Sequence, residues 1–529
     1  MSSCACNLRD ESTYPHRNTR PAGPEPSSSR DARSSRPPKG AFATRTRSAS
    51  RGDAVTMAML RRLLVPALAL FCAACASSST PLSQAAPPGA TIVAFVHADV
   101  IPMDRERVLR DHTVVIAGGR IAEVGPASAV KLPARAVRID ATGRYLLPAF
   151  ADMHVHLLGE AWNVMLQPEA QKTSKDIPFD EFLFPFIANG VTLVQSMSAT
   201  PEELVVRERI RRGELLGPRL ILAPMIDGPK KAWPPPLSTW VESAAEAHDA
   251  VHKAKHDGYD KIKVYSFLSR ESYDSIISAA GDVQMDVIGH IPMSVSLDYV
   301  LDSGQKLIAH SEEVAKHAGG DHSAEHIHEL AGKMTASGVW MTPTLVTTRS
   351  ILGVFADPDG LLERPEAVYF QHPMQQGVWS FITDNLYRPI PAKAREQLRS
   401  DFESFQKPLT KAFHDGGGKL MTGTDTLFPG LVPGFALHRE LEELVDVGLT
   451  PFEALRTTTS APFEYLGESE RAGTIATGKE TDLVLLDANP LEDVSAASKI
   501  AGVFVRGRWI AREEIDTKMR AIARKAPAP

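Results

Sequence analysis

Arg144-Tyr145-Leu146-Leu147-Pro148-Ala149-Phe150-Ala151-Asp152-Met153-His154-Val155-His156 is the stretch from which the rest of the chain can be read. An apolar run with strand character ends in two histidines two positions apart, and on a strand such residues face the same side. His154 and His156 can therefore aim at one ion. The pair is weak evidence alone, because a chain with 17 His in 529 residues produces such spacings by chance. His326-Ile327-His328 is the counter-example, lying in a run from Ala324 to Lys333 that reads as an exposed helix. Residues two apart on a helix point roughly 200° apart, so this pair is expected to share no metal.

Outward from the His154 motif, residues 148–470 alternate strand-like runs such as Val191-Thr192-Leu193-Val194 and Arg219-Leu220-Ile221-Leu222 with amphipathic, helix-like stretches. Such alternation predicts a parallel α/β fold, and a barrel of that class carries its chemistry at the carboxyl ends of the strands. His290 and His310 each end an apolar run, Met285 to Gly289 and Lys306 to Ala309. Asp425 closes Lys419-Leu420-Met421-Thr422-Gly423-Thr424, where a carboxylate can bind a metal and accept a proton from an attacking water. Capping of the following helix is the structural alternative for Asp425. Lys261 and Lys263 share one face of a strand, and a lysine buried inside a barrel is costly while it is charged. Burial lowers the amine pKa, and a neutral amine can add CO2 to become an anionic carbamate ligand. Lys263 lies nearer the carboxyl end of its strand, whereas Lys261 is expected at the barrel bottom, paired with Asp260.

Before and after this middle the chain reads as short strands, among them Ile92 to Val96, Thr113 to Ile116, Arg120 to Val124, Asp482 to Leu486 and Val503 to Trp509. A small β-sandwich assembled from both ends is expected, from 89–147 and 471–512, followed by a tail at 513–529. The composition, 43% hydrophobic and 23% charged with a net charge of −6, supports a large core and shows no basic stripe for nucleic acid. Cys4, Cys6, Cys72 and Cys75 are the only thiols, so any metal in the body must use His and carboxylate.

Residues 1–56 have a composition unable to bury a core, and a translation start at Met57 or Met59 would leave them out of the protein. Arg61-Arg62, the apolar run Leu63 to Phe71 and Ala73-Ala74-Cys75-Ala76 then predict a signal peptide over 57–75, with a tether over 76–88. The apolar run is too short to span a bilayer. Ala73-Ala74-Cys75 resembles a lipobox, so the expectation is export to the periplasm, with or without a lipid anchor at Cys75.

The motif 147–156, Asn189-Gly190-Val191-Thr192, Lys263, His290, His310 and Gly423-Thr424-Asp425, in this order and spacing over residues 90–512, resemble the amidohydrolase superfamily. The likeness is greatest to its imidazolonepropionase-related and prolidase-like branch. That resemblance implies a (β/α)8 TIM barrel with His154, His156 and Asp425 on one metal, His290 and His310 on the other, and carboxylated Lys263 bridging them. Two divalent ions, zinc by default, would hold a bridging hydroxide that attacks a small amide, peptide or cyclic amide, with Asp425 as general base. Ile291-Pro292-Met293 stands where several peptidase-like relatives carry an aromatic residue, which points away from dipeptides. Tyr265 and the pair Lys230-Lys231 are candidates for a substrate carboxylate, and the segment between His310 and Asp425 for a lid. The competing readings are a mononuclear deaminase or lactonase on the same fold, and a non-catalytic binding protein.

Overall fold

The computed structural model describes residues 92–524, apart from 158, 167–178, 230–232, 361–363, 371 and 481. The signal peptide, the tether, Cys75 and the Lys230-Lys231 pair lie outside the described residues.

The run that opens the sequence reading is two strands in two different sheets. One is β5 (Tyr145–Pro148) and the other β6 (Phe150–Val155), and the chain changes partners at Ala149, whose N–H donates to Asp482 while that of Phe150 donates to Gly190. β5 belongs to an eight-stranded sheet drawn from both ends of the chain. Its other members are β1 (Ile92–Val100), β2 (Leu109–Ala117), β3 (Arg120–Pro126), β4 (Val137–Asp140), β16 (Leu483–Leu486), β17 (Ile500–Val505) and β18 (Arg508–Ala511), in the order β18-β17-β16-β5-β1-β2-β3 with β4 beside β1. Phe95, Leu146, Leu485 and Phe504 fill its apolar core. The expected sandwich thus takes the form of one hydrogen-bonded sheet with strands from both termini. The expected tail is a helix from Arg512 to Arg524, which buries Ile515 and Met519 in the main core.

The middle of the chain forms two parallel sheets. β6, β7 (Val191–Ser196) and β8 (Arg219–Leu222) make one of them. The other runs β10 (Thr239–Trp240), β9 (Met225–Asp227), β11 (Lys261–Val264), β12 (Asp286–Gly289), β13 (Leu307–Ala309), β14 (Trp340–Thr342) and β15 (Lys419–Leu420). Only Ala223-Pro224 separates β8 from β9, and proline cannot donate to a strand ladder. At the other limit, Met153 N–H donates to Thr422 O and His156 N–H to Thr426 O, both at 2.9 Å, which ties β6 to the chain beyond β15. Met153, Leu193, Ile221, Ile288 and Leu307 from these strands meet Met421, just past β15, in a single apolar cluster.

His326 and His328 lie in the helix Ala324–Ser337, as their surroundings predicted. Lys261 is buried at the strand start, but its partner is Asp286 at 2.5 Å, not Asp260, which instead accepts from Arg207 at 2.9 Å. The parallel register explains the correction: Lys261 pairs directly with Asp286 across β11 and β12, whereas neighbours along one strand point to opposite faces.

Candidate active site

Five strand ends deliver the six residues. His154 lies in β6 and His156 one residue beyond it; Lys263 lies in β11; His290 and His310 each follow immediately on β12 and β13; Asp425 ends the segment after β15. All six line one cavity of about 20 Å³. His154 and His310 have ring centroids 4.5 Å apart, and His290 and His310 5.0 Å. Asp425 Oδ1 lies 2.9 Å from His156 Nε2 and 3.3 Å from His154 Nε2. Nitrogens of His154 and His310 and a carboxylate oxygen of Asp425 lie within 4.8 Å of one another, close enough for one cation.

Backbone conformation enforces the arrangement. His310 (φ 69°) and Asp425 (φ 53°) occupy the left-handed region, at a cost of order 1–3 kcal/mol each, borne only where the surroundings fix the residue. Asp425 is not a helix cap, since the next helix begins at Phe435 with Gly434 before it. Its N–H and that of Thr424 donate to His154 O at 2.7 and 3.1 Å, locking the two ligand-bearing segments together. At Gly289 a Cβ would stand 2.3 Å from Val264 O and 2.6 Å from Lys263 Cδ, so only glycine leaves room for that lysine.

Three histidines are held by hydroxyl groups according to one geometric rule. His156, His290 and His310 each stand one residue past a strand, and each Nδ1 meets a hydroxyl two residues past the adjacent parallel strand. The pairs are Ser198 after β7 at 2.7 Å, Ser266 after β11 at 3.0 Å, and Thr344 after β14 at 2.7 Å. Glu313 Oε1 adds a carboxylate 3.2 Å from His290 Nδ1, with Lys316 against that carboxylate. Occupation of Nδ1 leaves Nε2 as the ligand nitrogen and fixes ring orientation. His154 differs, because its Nδ1 is buried without a hydrogen-bond partner and its Nε2 meets only Asp425 Oδ1, at 3.3 Å. A buried ring nitrogen without a partner is costly by itself.

The electrostatics prepare ligands rather than cations. Burial holds His154 down to about 4, helped by the charge of Lys263, and burial pushes His290 and His310 well below the usual histidine range. All three are neutral at pH 7, the form that binds metal. Burial also lowers Lys263 to about 8, against the pull of Asp425 and Glu313. Burial favours the neutral form of Asp425, but the adjacent histidines outweigh it and keep the carboxyl well below its usual range.

Sequence reasoning missed the hydroxyls, Glu313 and the aromatic wall formed by Trp162, Trp233 and Phe428. Trp233 lines the cavity. Tyr265 lines it too, its ring tilted against His290 with centroids 4.0 Å apart and its hydroxyl accepting the Trp233 indole N–H at 3.2 Å.

The amidohydrolase family model matches residues 145–510. The chain belongs to the amidohydrolase family. Imidazolonepropionase from Arthrobacter sp. (strain FB24) is 48% identical over 62 residues, 12% of this chain and 15% of the relative. Imidazolonepropionase from Stenotrophomonas maltophilia (strain R551-3) is 30% identical over 123 residues, 23% of this chain and 29% of the relative. The alignments therefore span well under half the length of these curated relatives. Among solved structures, a Xaa-Pro dipeptidase with methionine in its active site has TM-score 0.60 and 20% identity, covering 80% of this chain and 100% of that one. Bottromycin amidohydrolase has TM-score 0.62 and 21% identity, covering 85% and 94%. At these identities the match speaks for the fold alone, and it supports the barrel architecture expected from the sequence.

Proposed function

We propose that the protein is an exported, metal-dependent hydrolase of carbon–nitrogen bonds in small amides, peptides or cyclic amides. The single observation that carries the reading is the convergence of four histidines, a lysine and an aspartate at strand ends around one cavity, with the Nδ1 of His154 buried and unpartnered. The donor set fits two divalent ions of the zinc type. The resemblance would put His154, His156 and Asp425 on one and His290 and His310 on the other, whereas the donor atoms within reach of one cation among the described residues are those of His154, His310 and Asp425. Lys263 would serve both after its neutral amine adds to the carbon of CO2, forming an N–C bond and releasing a proton. When bound, the metals would supply Lewis acidity toward the scissile carbonyl and an activated water.

The protein's own part is acid–base work and orientation. Asp425 Oδ1 faces the histidines, which leaves Oδ2 to take the proton of the attacking water and return it to the leaving nitrogen. The hydroxyls of Ser198, Ser266 and Thr344 hold three rings in place through that transfer. The hydrogen bonds joining β6 to Thr422 and Thr426 support a closed (β/α)8 barrel. The 57–75 signal pattern supports a periplasmic or lipid-anchored location, and among the described residues no helix is long and apolar enough to cross a membrane. The test is turnover of N-acyl amino acids, dipeptides and cyclic amides by zinc-loaded protein. Asp425→Asn should cut kcat by about 10²–10⁴ while substrate still binds, and equal rates in both proteins would exclude Asp425 as the base.

A further inference from the structure

One flank of the cavity, beside His156, is built from carbon. Trp162 and Phe428 approach the His156 ring with centroids at 6.2 and 5.9 Å, and Trp233 bridges them edge-to-face at 5.9 and 6.1 Å. Met225 and Leu237 continue the wall, and all five side chains are buried. Both indole N–H groups are committed to the protein: Trp162 donates to Leu157 O at 3.0 Å and Trp233 to Tyr265 at 3.2 Å. The rings therefore present apolar surface to whatever enters. The backbone behind Phe428 is pinned as well, because Trp379 from the helix Pro373–Ile382 donates to Leu427 O at 2.8 Å.

The cavity is narrow, about 20 Å³, so a group bound next to His156 and Asp425 lies against these rings. An aromatic or bulky apolar group replaces their mutual contacts with equivalent ones and leaves no polar atom unpaired. A carboxylate placed against the same five side chains would lose its hydration and find no donor among them. Resting on the hydrolase reading, we infer that the preferred substrate carries an aromatic or bulky apolar group beside its scissile C–N bond, and that Trp162, Trp233 and Phe428 select it. This deepens the proposed function by naming the substrate class.

The experiment uses metal-loaded full-length protein and a panel of simple amides whose acyl and amine parts vary independently among methyl, carboxymethyl and benzyl groups, followed by mass spectrometry. A benzyl group at one of the two positions should raise kcat/KM about tenfold or more over methyl, and the ratio should fall towards one in Trp233→Ala and Phe428→Ala but persist in part in Phe428→Leu. Because the ratio is taken within one preparation, it is insensitive to the fraction of a variant that folds. Hydrolysis in which methyl or carboxymethyl equals benzyl at both positions overturns the inference and leaves the hydrolase reading standing, as does a ratio unchanged in both alanine variants. No hydrolysis of any member contradicts the hydrolase reading, and the inference falls with it.

Discussion

Lys263 shows how far burial alone can prepare a side chain. The residue is 1% exposed and its amine is held to about 8, because removal from water penalises the charged form more than Asp425 and Glu313 favour it. The folded pKa lies below the ordinary lysine value, so the cost of a buried charge persists at low pH and fades as pH rises through about 8. Two consequences follow for metal-free protein. Its stability should increase from about pH 8 upward, and metal uptake at a fixed concentration of dissolved CO2 should be faster one unit above that value than one unit below. Stopped-flow measurement of uptake with a chromophoric chelator checks this, and uptake that slows with rising pH would show that the neutral amine is not required. Sequence reading located this lysine because a charged residue in an apolar strand is conspicuous. Glu313 stayed hidden because it reads as one of two adjacent glutamates at the start of a short helix, and only the fold brings its carboxylate 3.2 Å from His290.

The strand end, rather than the single residue, is the unit that builds the site. Histidine one step past a strand and hydroxyl two steps past the adjacent strand recur three times, and each pairing needs the parallel neighbour to be known. That requirement is why Ser198, Ser266 and Thr344 could not be chosen from the sequence, where they are ordinary loop residues. The β14 end carries a further support. Thr344 sits at φ 50° before the helix Leu345–Ala356, and the buried Glu440 carboxylate receives the N–H groups of Leu345 and Val346 at 3.1 and 2.7 Å. Glu440 is thereby a positioning residue that fixes Thr344 and, through it, the His310 ring. Glu440→Ala should leave two buried N–H groups unsatisfied, at about 1–3 kcal/mol each. The same change should weaken metal binding relative to wild type, measured on the folded fraction by competition with a chelator. A loss of stability with unaltered metal affinity would limit Glu440 to a structural role.

Across the whole molecule, the alternation of strands and amphipathic helices made the α/β class legible, and the β-rich ends announced a sheet shared by both termini. What stayed illegible depends on distant segments: the change of sheet at Ala149, the helix Arg512–Arg524 packed on the core, and the aromatic wall assembled from three separate segments. Trp162, Trp233 and Phe428 carry no common motif, and any of them read alone is an ordinary core residue. The six polar residues were legible because each ends an apolar run or interrupts one, and a cation site needs them in one place. That convergence has a stoichiometric consequence. Metal content should be measured by plasma mass spectrometry on the full chain after equilibration with zinc and bicarbonate, wild type beside Lys263→Ala and Asp425→Ala. The account predicts about two zinc ions per wild-type chain and fewer in both variants; zinc near zero in folded wild-type protein, or the same content in all three, would contradict it.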